Sequence, residues 1–88
     1  MFVVEKDPST IRQYGIDLRR QLASGETITG LFVSASRVTT DSGTITGTQC
    51  LALCSGGEPG ALAEVHFTYT TSLGFTDTRT IYLSIIER

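Results

Sequence analysis

The side chains in this sequence best equipped for chemistry are Cys50, Cys54 and His66, and their spacing limits what they can do. Cys50 and Cys54 are the only cysteines and sit in the run Gln49-Cys50-Leu51-Ala52-Leu53-Cys54. If that run is extended, the two positions lie roughly 13 Å apart, whereas a disulfide needs Cα atoms about 4.4–6.8 Å apart. A metal site needs further ligands close by, and the only histidine stands twelve residues on. Two buried thiols acting as small apolar side chains is the simpler reading. Reduced cysteines also suit synthesis in a cytosol. His66 alternates outward beside Glu64 and Thr68, and no Gly-x-Ser-x-Gly is present. A catalytic site here would need His66 with a carboxylate and a hydroxyl converging in one cleft. Glu26, Asp41, Glu58 and Asp77 instead fall in or beside turn signals, as solvated charge does. Ser55-Gly56-Gly57 lacks the lysine and helix that follow in a phosphate loop. The expectation is therefore no catalytic residue, no metal ligand and no cofactor.

Eighty-eight residues with seven Lys+Arg against nine Asp+Glu carry a formal charge of −2. At 40% apolar and 18% charged, the chain is too apolar to be disordered. It lacks the basic excess that nucleic-acid binding needs, and its aromatic residues do not interleave with Lys or Arg. No apolar run is long enough to span a bilayer, and Met1-Phe2-Val3-Val4 is too short for a signal sequence. One domain, 1–88, is expected. A domain this small buries a modest core and keeps a surplus of only a few kcal/mol. With neither disulfide nor metal to staple it, extra stability must come from a partner.

The elements that position these residues are strands. Fourteen threonines, with no Asn and one Lys, favour extended chain and leave turns to Gly, Asp and Ser. From Ala61 to Tyr69 the pattern has period two: Ala61, Ala63, Val65, Phe67 and Tyr69 on one face, Leu62, Glu64, His66 and Thr68 on the other. Ser72-Leu73-Gly74-Phe75 supplies a turn, and Ile81, Leu83 and Ile85 then alternate with Thr80, Tyr82 and Ser84. Together they predict an antiparallel hairpin. Thr27–Ala35 is strand-like with a bulge at Gly30. Asp41-Ser42-Gly43 turns the chain before Thr44-Ile45-Thr46, and Cys50–Cys54 forms a further strand ended by Ser55-Gly56-Gly57-Glu58-Pro59-Gly60. Short strands at this spacing indicate an all-β sandwich or barrel.

The N-terminal quarter reads differently. Asp7-Pro8-Ser9 followed by Gly15 carries start and stop marks for a short helical turn, with a short strand from Ile16 to Leu18 after it. Arg19-Arg20 is either a solvated face or a partner contact. Leu73 and Phe75 sit on a turn where polar residues would cost nothing, so they touch either the domain's own loops or a partner. Tyr82, Leu62 and Ile86 on the nominally wet face raise the same question, answered by a covering N-terminal segment or by a partner.

Two stretches resemble a known family. Asp7-Pro8-Ser9-Thr10-Ile11-Arg12-Gln13-Tyr14-Gly15-Ile16-Asp17-Leu18, then Leu22-Ala23-Ser24-Gly25-Glu26-Thr27-Ile28, is similar to the opening of small tailed-phage proteins of the fiber–tail adaptor or tail-neck group. Leu53-Cys54-Ser55-Gly56-Gly57, Val65-His66-Phe67-Thr68-Tyr69 and Thr76-Asp77-Thr78-Arg79-Thr80 resemble that family's ending. Leu18 stands where the family usually has Trp. The resemblance implies an immunoglobulin-like β-sandwich, preceded here by the short helical turn. It implies a structural virion component, made in the bacterial cytoplasm, that forms a homo-oligomer and docks fiber, neck or other tail proteins. Within that role Arg12, Tyr14, Arg19, Arg20, Leu73 and Phe75 are the candidate contact residues, chosen by exposure. A carbohydrate- or surface-binding adhesion module is the second reading.

Overall fold

In the computed structural model, which describes residues 3–87, the alternation between Leu62 and Ile85 becomes two ten-residue strands that face each other residue for residue. Eight strands run along the described residues. They are β1 (Val3–Lys6), β2 (Ile11–Asp17), β3 (Ile28–Ser36), β4 (Thr39–Thr40), β5 (Thr44–Thr46), β6 (Gln49–Ser55), β7 (Leu62–Thr71) and β8 (Thr76–Ile85). They make two sheets. The larger has the order β1-β8-β7-β3, and the smaller has β2-β6-β4 with β5 also paired to β6. Every pairing is antiparallel except β1 with β8, which run side by side in register Val3↔Tyr82 to Lys6↔Ile85.

The inward sets of the two sheets form one core. Ala63, Val65 and Phe67 from β7 and Ile81, Leu83 and Ile85 from β8 meet Cys50, Ala52 and Cys54 from β6, with Val33 from β3. Phe67 and Leu18 are its largest fully buried side chains. Both cysteines are free and buried, as two small apolar groups on the inward face of one strand. The expected bulge is present: β3 shifts register against β7 between Ile28 and Gly30.

The N-terminal helical turn is a correction. Asp7–Thr10 forms one tight turn, in which the Asp7 carboxylate accepts from the Ser9 amide at 2.8 Å and the Thr10 amide donates to the Asp7 carbonyl at 3.2 Å. The chain then enters β2 at Ile11, where an extension of the helix would have begun. A helix of one or two turns is marginal alone, whereas β2 gains a full ladder with β6 over seven residues. Gly15, which reads as a helix stop, is instead the place where β2 passes beneath Leu51; a Cβ there would collide with the Leu51 side chain and the Cys50 carbonyl. Among the described residues the N-terminal segment lies beside the sheet rather than over its face: β1 widens the larger sheet at its edge, beside Tyr82.

Gly43 is the second close approach. It holds φ 85°, and a Cβ on it would press into Val33 and Leu31. The turn between β4 and β5 can therefore lie flat on β3, which joins the two sheets on that side.

Candidate contact surface at the hairpin tip

Leu73 and Phe75 stand at the free end of the β7–β8 hairpin, 59% and 65% exposed. The turn that presents them is fixed by backbone bonds: the Gly74 amide donates to the Thr71 carbonyl at 3.0 Å, and the Thr71 amide donates to the Phe75 carbonyl at 2.9 Å. Gly74 takes φ 86°, a conformation in which a side chain would be strained. The tip is also tied down sideways. The Ser72 amide donates to the Thr27 carbonyl at 2.8 Å, and the Thr27 amide returns to the Ser72 hydroxyl at 3.0 Å. The two large apolar side chains are thus held out on a rigid turn.

Opposite them lies the segment that leads into β3. Leu22, Ala23 and Gln21 form one wall of a cleft of about 540 Å³, Leu73 and Phe75 the other, and Tyr69 with Thr71 the floor. Glu26 and Asp77 stand on its rim. Glu26 braces the cleft: the Thr71 hydroxyl bonds its carboxylate and the Ala23 amide donates to it at 2.8 Å, and these two hold its pKa below the usual carboxylate range. The Tyr69 hydroxyl is pushed up, first by burial and then by the Asp77 carboxylate beside it.

A pH dependence follows with a definite sign. A depressed carboxylate pKa contributes stability that is fully present above the unfolded value and lost as the pH falls through the folded one. The loop from Leu22 to Thr27 should therefore hold to the hairpin at neutral pH and loosen in acid. The Ala23 amide resonance should titrate with a midpoint below the ordinary Glu value of about 4.3. A midpoint at or above that value would mean Glu26 does not carry the brace.

The remaining candidates divide between the two ends of the molecule. Arg19 and Arg20 lie exposed in the turn after Leu18, at the same end as the tip. Their shallow depression is lined by Asp17 and by Gln21, which also lines the cleft. Asp17 organises that turn by accepting from the Arg19 amide at 2.9 Å and the Thr48 hydroxyl at 2.9 Å, which lowers its pKa. Its contact with the Arg19 guanidinium, 3.7 Å between exposed groups, adds little. Arg12 and Tyr14 lie elsewhere. They line a groove of about 500 Å³ between the edge strands β1 and β2, roughly 10 Å (Tyr14) to 17 Å (Arg12) along β2 from Asp17. Burial raises the Tyr14 pKa and the Arg12 charge partly offsets it. Four of the six candidates thus share one end, and two do not.

Sequence patterning missed Leu22, Tyr69 and Asp77, which complete the cleft. Leu22 gives no local signal, because its partners lie fifty residues away in β7 and the tip. Tyr69 was legible as a core residue, and it is 4% exposed, but its position as a floor depends on the loop above it.

His66 does gather a hydroxyl and a carboxylate. Its Nδ1 lies 2.8 Å from the Thr80 hydroxyl and its Nε2 3.6 Å from the Glu64 carboxylate. The three sit on the open outer face of the larger sheet, and none of them lines the clefts described above. The strand amides beneath lie in the plane of the sheet and point sideways toward neighbouring strands, so none is aimed out of this face to hold a developing oxyanion. The thiols fare no better as nucleophiles, since burial raises the pKa of Cys50 and Cys54 above the ordinary value. Among the described residues no group of His, Cys, Asp and Glu is placed to hold a metal ion.

Residues 6–84 match the family model described as Gp77, podophage GP4 fiber-tail adaptor protein gp77. No curated protein matches the chain.

Proposed function

We propose that this chain, which belongs to the podophage GP4 fiber-tail adaptor gp77 family, acts as a non-catalytic joint in the virion tail. In this reading it associates with copies of itself and docks a fiber or tail protein through the end that carries the hairpin tip. The observation that carries the docking assignment is the exposure of Leu73 and Phe75 on a turn held by three backbone hydrogen bonds and a fourth that the Ser72 hydroxyl accepts. A turn that rigid has already lost its conformational entropy, so a partner gains the apolar contact at low cost. Arg19 and Arg20 add a cationic margin on the same end.

The domain is read as one immunoglobulin-like sandwich over 1–88. Strand order supports this: β3, β7 and β8 take the neighbouring places of strands C, F and G, and β2, β6 and β4 those of B, E and D. Synthesis in the host cytoplasm before incorporation is consistent with two free thiols.

Phe75→Ser tests the docking assignment. Phage lacking this chain, supplied with the variant, should yield at least tenfold fewer tails carrying fibers, while the purified variant keeps the wild-type urea midpoint. A variant that unfolds would make Phe75 a core residue, and unchanged fiber attachment would remove the tip as the docking site.

A further inference from the structure

The outer face of the larger sheet is built unlike a wet surface. Three successive rows across β3, β7 and β8 read Ser34–His66–Thr80, Phe32–Thr68–Thr78 and Gly30–Thr70–Thr76. None of these positions is Lys, Arg, Asp or Glu, although the chain has sixteen such residues. A solvated sheet face normally carries mixed charge. Here the polar groups bond one another across the strands: Thr68 to Thr78 at 3.0 Å, Thr70 to Thr76 at 3.3 Å, and His66 to Thr80 at 2.8 Å. Hydroxyls already paired lose less when water is removed than free ones do. In the middle row Phe32 stands 66% exposed on edge strand β3. An aromatic anchor in a charge-depleted field ringed by neutral polar groups is the composition of an interface centre.

From this face we infer the contact by which two copies of the chain pair, broad side to broad side about a two-fold axis. The inference rests on the self-association proposed above and names its surface, which is separate from the hairpin tip. Charge selects the orientation. Carboxylates gather at one end of the face, at Glu64 and at Glu5 in the row with Ser84, while the rows nearest the tip carry none. An antiparallel pair sets each acidic end over the other copy's uncharged end, and a parallel pair would oppose carboxylate to carboxylate. Antiparallel stacking about an axis across the strands also lays β3 on β3, which puts the two Phe32 rings on the same edge of the contact. Size fits a weak, concentration-dependent pair. Nine residues of β7 by the three strands β3, β7 and β8 cover about 27 × 14 Å, and β1 adds only four residues at the acidic end, so two copies bury somewhat less than about 1,000 Å² in all, the size of a transient contact.

Sedimentation of the purified full chain across a concentration series tests the pairing, with Phe32→Glu, Thr78→Lys and Phe75→Ser as variants. Phe32 and Thr78 are exposed, and circular dichroism checks that their replacements stay folded. Wild type and Phe75→Ser should sediment as dimers, while Phe32→Glu and Thr78→Lys should dissociate with a Kd raised at least tenfold. Dimers that persist in both face variants would overturn this surface and leave self-association standing on another. A monomeric wild type at every concentration would overturn the pairing together with self-association, and would leave docking through the tip to its own test.

Discussion

Val65→Asp is expected to leave the chain without a folded state at 25 °C. Val65 is completely buried at the middle of β7, between Ala35 on β3 and Ile81 on β8, with the smaller sheet above it. Replacing it forfeits about 1.5–3 kcal/mol of apolar burial. Even a neutral carboxyl without a partner there costs about 2–7 kcal/mol more, and an ionised one costs more still. The sum reaches or exceeds the few kcal/mol available to a domain of this size. The same residue placed at Thr68, which points outward from the same strand, should change stability by about 1 kcal/mol or less. Urea denaturation followed by circular dichroism reads both. A cooperative Val65→Asp transition near the wild-type midpoint would mean that the two sheets do not enclose this position.

Lys6→Met should cost about 2–6 kcal/mol, at about 1–3 kcal/mol for each of two carbonyls left without a donor, a large loss for a residue at the edge of a sheet. Lys6 is 3% exposed. Its ammonium donates to the carbonyls of Asp7 at 2.9 Å, Thr10 at 2.8 Å and Gly56 at 2.7 Å, which uses all three of its protons. One side chain thereby ties β1, the turn before β2, and the loop after β6, and so clasps the two sheets together. Methionine fills the stem's space but takes the donor from the Thr10 and Gly56 carbonyls at once, while the Asp7 carbonyl keeps the Thr10 amide and hydroxyl. Lys6→Arg is not a conservative alternative, because a planar fork cannot direct three protons to carbonyls arranged around a point. A Lys6→Met midpoint within about 0.5 kcal/mol of wild type would show that water reaches these carbonyls.

Most of the sandwich was legible because period two is a local signal. The inward set from Ala63 to Ile85, the bulge at Gly30 and the turn at Asp41-Ser42-Gly43 each follow from neighbours in sequence. Strand β1 was not, since Glu5-Lys6-Asp7 reads as a charged break and its partner β8 lies at the far end of the chain. Lys6 gave one hint, as the only lysine present. The Asp7-Pro8 turn shows how one set of residues serves two structures: an N-cap and a tight turn use the same carboxylate-to-amide bond, and only β6 decided between them. Phe32 stands in the apolar run Leu31-Phe32-Val33, which marks no outward side, and its exposure emerged only from the register of β3 against β7. The contact cleft was half legible for a similar reason. Its tip is one turn of sequence, whereas its other wall arrives through Leu22.

Pairing Val3 with Tyr82 sets an order of events for manufacture. A ribosome must deliver nearly the whole domain before the edge strand at residue 3 has anything to lie against. Contacts so far apart along the chain form late and slowly. Lys6 acquires its Gly56 acceptor only when that loop has been made, so its clasp, too, waits. The larger sheet lacks β8 until synthesis has passed it, so the facing edges of β1 and β7 stay open until then. Closure of the sandwich waits on that one strand.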